Sequence, residues 1–569
     1  MADPCLTIIE ATGIQPYISS SNRLQENIGA SEQVYRATTL WAWWALEESL
    51  DGAGEKHNVD KPESFEWDLR DVTNSDAKPQ AEVVYGGGGK TLIIFRDGID
   101  AARKFVTCLT SRVLREAPGL TLAAAHRSFG WGKEGANFKS LNECLIQELE
   151  KHKQKFQPSM PLLGLGVTAV CQSTGLPAMM MRTDENQIKL PVENREMPLQ
   201  VPGETEPPRL ISREIAYKLG FRDLAQERLR HLFGEKVRER KFDFPSDMDK
   251  LGREMGEESY VAVIHADGNR MGRHFSDYIG DKTAYPECTI AMRAFSKKVR
   301  DASKAALKSI IDKLADRNIT KWASEKRGYF VADKIPLSDN RYLPFRPLVF
   351  GGDDVTFVCN ARLGLWLAAA YLKAFEQETA KQNLPNLHAC AGIAMVKMHY
   401  PFARAYVLSQ LLCKSAKKYI RKEFKNEDHS ALDWHFAISG LGGSLSQIRQ
   451  REYEVDIGLK EKGKLYLRPV RLSAKTIDTS GRYWEGGIEK VIREFQEKKT
   501  WTERKNKVVR LREVLRQGGD TVEKYRTDFS LPLLPKFVSE DDPSRKTGWG
   551  ERCMYFDALE MLDHYVAVE

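Results

Sequence analysis

Short apolar runs of β-favouring residues alternate along the chain with longer stretches of helical spacing, and their order predicts an α+β protein. A strand at 6–10 is followed by a polar stretch, 14–31, that opens into a helix at 34–49, whose Trp41, Trp43 and Trp44 read as core. A strand, glycine turn and strand follow at 83–95, then a helix at 99–115, a strand at 120–125, a helix at 141–153 and a further strand at 164–171. Later come a strand at 261–268, a long helix at 289–314, a second strand, turn and strand at 347–358, a helix at 363–381, a strand at 387–396, a helix at 403–424 and a strand at 432–438.

The second series repeats the first. Ile9-Glu10-Ala11-Thr12-Gly13 lies against Ile264-His265-Ala266-Asp267-Gly268, and Tyr85-Gly86-Gly87-Gly88-Gly89 against Phe350-Gly351-Gly352-Asp353-Asp354. The spacings agree, 86 − 12 = 74 residues against 351 − 267 = 84, a difference that one loop insertion absorbs. Each copy reads as a ferredoxin-like βαββαβ unit. Thr12 stands where the second copy has Asp267, and Gly88 and Gly89 where it has Asp353 and Asp354, so the first copy keeps the fold signals and lacks the acids.

The expected domains are a first, non-catalytic copy over 1–185, a linker and helical insertion over 186–255, the second copy over 256–440, and a mostly helical domain over 441–569. Residues 192–208, rich in Pro and Glu, read as a linker or surface excursion, and 213–241 as a basic helix. Gly440-Leu-Gly-Gly-Ser444 breaks the chain, 465–469 suggests a strand end, and helices are expected around 488–495 and 508–515.

Composition narrows this little. With 569 residues, 42% hydrophobic and 29% charged, the chain reads as a soluble protein of several domains. Its excess of 86 − 79 = 7 basic residues permits contact with nucleotide or RNA without requiring it. No membrane span or signal peptide is legible, which predicts a cytoplasmic protein. Nine cysteines without a Cys-x-x-Cys pair argue against a disulfide framework and a thiolate zinc site.

The candidate chemistry lies in the acids. Two adjacent carboxylates at a hairpin tip repel by roughly 4 kcal/mol at an effective dielectric of 20, and a cation between them relieves this. A strand-terminal acid, Asp267, with Asp353 and Asp354 on the next hairpin forms the palm arrangement of nucleotidyl transferases and nucleotide cyclases. Asp267 and Asp353 are the pair expected to hold two Mg²⁺ or Mn²⁺ ions, which activate a ribose hydroxyl and neutralise a leaving pyrophosphate, with Asp354 the lesser ligand because neighbours along an extended chain point to opposite faces. Gly268, Asn269 and Arg270, Gly351 and Gly352, Gly86 and Gly87, and one of Lys414, Lys417 and Lys418 are the expected nucleotide contacts. Lys90 follows Gly89, but Val84 stands where a Walker A loop needs glycine. His265 is expected to pack on the face opposite Asp267. No His-Asp dipeptide occurs, so the core of an HD nuclease is absent.

These residues resemble the double-palm large subunit of type III CRISPR effector complexes, the family that makes cyclic oligoadenylate. The hairpin Gly351-Gly352-Asp353-Asp354, the strand ending in Asp267 and Lys414-Ser-Ala-Lys417-Lys418 look like its second palm, and Ile14-Gln15-Pro-Tyr17-Ile18 to Ser31 like the start of its first. The resemblance covers roughly 1–440. It implies ATP as substrate, two metal ions, an acceptor nucleotide on the first palm, and guide RNA and repeat-type subunits as partners. Without the HD domain no DNA cleavage is expected, and the segment 171–178, similar to a zinc knuckle, keeps only Cys171. Two other readings stay open: a scaffold subunit of a guide-RNA ribonucleoprotein with an idle site, and a diguanylate-type cyclase, against which Val355 stands where those enzymes have phenylalanine.

Overall fold

A computed structural model describes residues 3–51, 54–60, 68–72, 78–131, 137–155, 166–183, 188–199, 207–252, 259–316, 319–323, 326–384, 387–425, 427–437, 443–458, 462–474, 480–537 and 541–568. The chain forms two compact units interleaved in sequence: Met1–Met248, Arg270–Lys304 and Leu348–Asp353 make the first, and Asp249–Asn269, Ala305–Pro347 and Asp354–Glu569 the second.

In chain order the elements begin with β1 (Cys5–Thr12), α1 (Ile14–Ile18), α2 (Leu24–Ala37), α3 (Leu40–Ser49), β2 (Ala81–Gly87), β3 (Lys90–Phe95), α4 (Ile99–Glu116), β4 (Thr121–Ser128) and α5 (Phe138–Lys155). Then come β5 (Met180–Arg182), β6 (Lys189–Val192), β7 (Arg195–Pro198), β8 (Arg209–Ile211), α6 (Arg213–Phe233) and α7 (Glu235–Glu239). The four-stranded sheet of the first unit has the order β2-β3-β1-β4, which is the βαββαβ topology expected from the sequence. Apolar alternation along β1 explains it: Cys5 and Ile9 enter one core layer and Leu6 and Ile8 join another.

The expected helix at 34–49 is two helices. Thr38 and Thr39 turn their hydroxyls onto the carbonyls of Val34 and Tyr35, and Thr39 leaves helical geometry at φ −132° and ψ −92°. The polar stretch before it is helical too, because α6 buries it. Glu26 meets Arg209 at 2.6 Å and Glu32 meets Arg228 at 2.7 Å, so residues that read only as polar form internal ion pairs. Burial alone would raise the Glu32 carboxyl, but Arg228 and Arg36 outweigh it and hold it low. Gly29 permits the contact, since a methyl group there would lie 1.6 Å from the Lys218 carbonyl oxygen.

Two other expectations need correction. Residues 166–171 form turns with an isolated bridge between Val170 and Pro177 rather than a strand, and 164–165 lie outside the described residues. The proposed excursion at 192–208 starts inside the β6–β7 hairpin, whose Glu193 and Asn194 take the positive φ angles of a tight turn. Glu193 then accepts a 2.6 Å hydrogen bond from Trp41 Nε1, which ties the hairpin to the first sheet's helices. Residues 200–206, and 440–442 of the expected chain break at 440–444, lie outside the described residues, while Gly443 takes φ 98° and Ser444 caps the helix that follows.

The chain continues through β9 (Tyr260–Gly268), α8 (Met271–Ile279), α9 (Glu287–Asp316), β10 (Ile319–Ala323), β11 (Lys326–Val331), β12 (Ile335–Pro336), β13 (Phe345–Val349), β14 (Val355–Asn360), α10 (Ala361–Lys381), β15 (Ala389–Lys397), α11 (Phe402–Glu423) and β16 (Ala431–Ala437). It ends with α12 (Leu445–Tyr453), β17 (Glu454–Val455), β18 (Gly463–Lys464), β19 (Val470–Arg471), α13 (Glu489–Glu497), α14 (Lys499–Thr502), α15 (Lys505–Leu515), α16 (Gly519–Asp528), α17 (Ser544–Thr547) and α18 (Phe556–Glu560). The second sheet runs β13-β14-β9-β15-β16-β19, so its first four positions repeat the order of the first sheet. β15 and β16 are parallel and joined by α11. The expected strand end at 465–469 instead links β18 to β19, and β19 extends the sheet through Leu432↔Val470.

That link carries a buried charge cluster. Arg468 is fully buried, 2.8 Å from Glu560 and 3.5 Å from Asp557, while Asp557 Oδ2 accepts from the backbone N–H groups of Leu467 and Arg468. Replacing Arg468 with leucine strands two buried carboxylates and should cost roughly 3–5 kcal/mol, read as a lower urea midpoint. His435 lies beside this cluster, and burial, helped by Arg468 and Arg449, pushes its imidazole down to about 3. The unfolded chain takes the proton first, so stability falls as pH drops from about 6.5 toward about 3, by about 1.4 kcal/mol per pH unit. His435→Phe should flatten that part of the acid limb in unfolding titrations.

Candidate active site

Two glycines set the distances here. On β15, Ile393 faces α10 and Gly392 faces α11, as strand alternation requires. A methyl group at Gly392 would lie 1.9 Å from the Ser409 carbonyl oxygen and 2.3 Å from the Cys413 amide nitrogen, so α11 rests directly on the strand backbone. On the other face, a methyl at Gly364 of α10 would lie 2.7 Å from Ala262 Cβ.

The close seating of α11 brings Lys417 to the end of β9. Its ammonium donates to Asp267 Oδ2 at 2.6 Å and to the Gly268 carbonyl oxygen at 2.7 Å. Burial would lower the Lys417 ammonium, but the Asp267 carboxylate outweighs it and holds the group charged. Lys414 and Lys418 are exposed on the outer side of the same helix. Only the lysine of the three that α11 turns inward meets an acid.

β9 and β14 pair antiparallel with Val355↔Ala266 and Thr356↔His265. One step further along that register, Asp354 falls opposite Asp267, and opposed residues share a face. His265, two residues before Asp267, shares it as well. The expectation that His265 faces away is therefore wrong: residues two apart on a strand point to the same side. Its Nδ1 lies 3.2 Å from Asp354 Oδ1 and 3.3 Å from Thr356 Oγ1. Burial lowers the imidazole, and Asp354 and then Asp267 outweigh it, so the net direction is upward. Tyr406, from α11, stands edge-on to His265 with ring centroids 6.0 Å apart. The sequence held the signal for this histidine in its two-residue spacing from Asp267.

The turn after Asp267 is anchored from within. Asn269 donates its backbone N–H to the His388 carbonyl at 2.8 Å and its side-chain amide to the His429 carbonyl at 3.0 Å and Asp428 at 3.2 Å. Arg270 takes φ 49°, the left-handed conformation, at the start of α8.

Asp353, with Gly351 and Gly352, belongs to the segment Leu348–Asp353 of the first unit. Ser31 donates to the Leu348 carbonyl, the Arg228 guanidinium lies 4.4 Å above the Phe350 ring, and Phe233 packs edge-on against it at 5.2 Å. The glycine turn of the first sheet is adjacent: a methyl at Gly87 would lie 3.7 Å from the Gly351 carbonyl oxygen, and one at Gly352 3.9 Å from Gly88 Cα. Gly86 is paired with Thr91 in the β2–β3 ladder.

A divalent metal is tested by the donor chemistry. Among the described residues no group of three or more His, Cys, Asp or Glu converges on one point. Yet Asp354 Oδ1 is buried beside the His265 imidazole, 3.2 Å away, and Asp267 Oδ2 and the Gly268 carbonyl already converge on a cation, the Lys417 ammonium. Hard oxygens of this kind suit Mg²⁺ or Mn²⁺, and Asp267 and Asp354 are the acids of the second unit that would hold it.

The first unit has a counterpart of the lysine contact. Lys153, on the helix after β4, reaches Glu10 of β1 at 3.1 Å, and Lys90 reaches the other oxygen of Glu10 at 3.1 Å. Glu10 is the residue that matches His265 in the repeat. Thr12, matching Asp267, only donates its hydroxyl to the Thr121 carbonyl at 3.4 Å.

The strand order β13-β14-β9-β15, with an acid at the end of its central strand, a second acid opposite it and a lysine between sheet and helix, places the second sheet in the palm class of fold. Within that class, residues 260–426 match the family model described as Cas10/Cmr2, second palm domain. The chain is similar to chains of the Csm1–Csm4 cassette solved with AMPPNP (15% identity, TM-score 0.51, covering 98% of this chain and 69% of that one), with pppApApA (14%, 0.51, 100% and 70%) and with cA4 (14%, 0.50, 100% and 70%). At such identities the likeness is one of fold, and the chain is Cas10-like in that sense. No curated protein matches it by sequence. Among the described residues no helix is long and apolar enough to cross a membrane.

The Gly392 contact predicts a paired result. Gly392→Ala and Gly364→Ala should each destabilise by about 1–3 kcal/mol in urea unfolding. Gly392→Ala alone should also lift α11 and separate Lys417 from Asp267, visible as a changed Asp267 carboxyl signal in the NMR spectrum.

Proposed function

We propose that this chain is a metal-dependent nucleotidyl transferase that makes cyclic oligoadenylate from ATP, as a large subunit of a type III CRISPR effector. The observation that carries the proposal is the acid pair at the end of the palm sheet, Asp267 facing the Asp354 position, with a lysine held against it. The Cas10/Cmr2 match over 260–426 supports the class, and the related folds solved with AMPPNP, pppApApA and cA4 support adenine nucleotides as substrate, intermediate and product. A divalent cation, when bound, would neutralise triphosphate charge and make the ribose hydroxyl a better nucleophile.

The chain's own residues do the remaining work. Asp267 and Asp354 orient the cation, with Asp353 proposed as a further ligand. Lys417, a flexible point charge, contacts phosphate. Gly268, Asn269 and Arg270 shape the turn next to the phosphates, with Gly351 and Gly352 on the hairpin, while Lys414 and Lys418 add positive potential at the surface. Gly86 and Gly87 are the proposed contacts of a second nucleotide. Repeat-type subunits and guide RNA are the proposed partners, by analogy with the Csm1–Csm4 pairing named in the related structures.

Incubating the purified chain with each nucleoside triphosphate and Mg²⁺ or Mn²⁺ and reading the products by mass spectrometry tests this. Cyclic oligoadenylate from ATP is expected. Asp267→Asn should reduce it by about a hundredfold or more in a protein that still unfolds cooperatively. Full activity of an Asp267→Ala, Asp354→Ala double variant would refute the site.

A further inference from the structure

Lys417 stands where a metal cation would meet the end of β9. Its ammonium contacts Asp267 Oδ2 at 2.6 Å and the Gly268 carbonyl at 2.7 Å, two oxygens of the kind a hard divalent cation prefers. The lysine is packed inward, with its side chain 13% exposed, whereas Asp267 opens to solvent at 38%. An ammonium and a divalent ion on the same carboxylate oxygen repel each other strongly at such distances. Each therefore weakens the binding of the other at that oxygen.

We propose that Lys417 is a resident cation of Asp267 that excludes the divalent metal until a nucleoside triphosphate draws the ammonium onto its phosphates, so that nucleotide and metal load together. The inference rests on the reading of this face as the nucleotide site. Three observations support it. The Gly392 contact fixes the backbone of α11, which leaves the four-carbon stem of Lys417 as the part free to swing. Phosphate oxygens offer the ammonium the same kind of acceptor it would leave behind. In the first unit Lys153, from the equivalent helix, also reaches the central strand, at Glu10, where the metal acids are missing. What is particular to the second unit is that the acid under the lysine is the one a metal needs.

The consequence is a coupling between the two ligands. With no nucleotide, Asp267 is neutralised internally and metal affinity is suppressed; with nucleotide, Lys417 moves and the carboxylate becomes available.

Binding of Mn²⁺ alone, followed by the electron paramagnetic resonance signal of the free ion, tests this on the full-length chain. Lys417→Met should bind Mn²⁺ about tenfold more tightly than the unaltered protein, the size of an ordinary coupling between ligands. The gain should vanish in Lys417→Met with Asp267→Asn, and Lys414→Met should show none. Equal or weaker Mn²⁺ binding by folded Lys417→Met would overturn the proposal. A second measurement needs no variant: acetylation of Lys417, quantified by peptide mass spectrometry, should speed up when saturating Mn²⁺ is added, with Lys414 and Lys418 unchanged. An unchanged rate at Lys417 under those conditions would also overturn it. The two readings fail separately. Tighter Mn²⁺ binding by Lys417→Met in a protein that turns over no nucleotide would leave the exclusion standing and remove the synthase, and the reverse pattern would do the opposite.

Discussion

The contact on which the second unit depends is the direct seating of α11 on β15 at Gly392. No side chain separates the two backbones there, and the helix is brought close enough for a lysine on its inner edge to reach the neighbouring strand. Everything chemical at the end of β9 follows from that distance. Lys417 meets Asp267, Tyr406 meets His265, and the Cys413 thiol donates to the Cys390 carbonyl at 3.1 Å. A larger residue at 392 would open a gap in which the carboxylate would be solvated by water instead of held by an ammonium.

The same architecture serves two electrostatic purposes in the two copies. In the first, Glu10 lies between Lys90 and Lys153, with both carboxylate oxygens in ion pairs, and the strand ends in a threonine. In the second, the acid has moved two residues toward the strand end, a histidine takes the inner position, and the acid opens to solvent. A two-residue shift keeps the side chain on the same face of the sheet while moving it about 7 Å toward the rim. The repeat thus turns an internal ion pair into an accessible site without changing the fold.

Much of this was legible in the sequence. The repeat of strand, helix, hairpin, helix and strand follows from apolar periodicity and from glycines at the turns, and both palm sheets have the strand order it predicts. The acids stood out because one copy has them and the other does not. Local pattern decides such features, since a strand needs alternating apolar positions and a tight turn needs residues that accept positive φ.

What only the tertiary structure decided are the places where distant segments supply the missing partner. The stretch 14–31 reads only as polar because its Glu26, like Glu32 just after it, needs an arginine about two hundred residues later, Arg209 on β8 and Arg228 on α6, before it can be buried in a helix. Of three lysines in five residues, only packing selects Lys417, because helix rotation against the strand sets which one points inward. Asp354 comes to stand opposite Asp267 through the register of β9 with β14, which no residue of either strand encodes alone. Sequence fixes periodicity and turns because these are local energies; the pairing of charges across the fold is settled by which surfaces the close-packed backbones bring together.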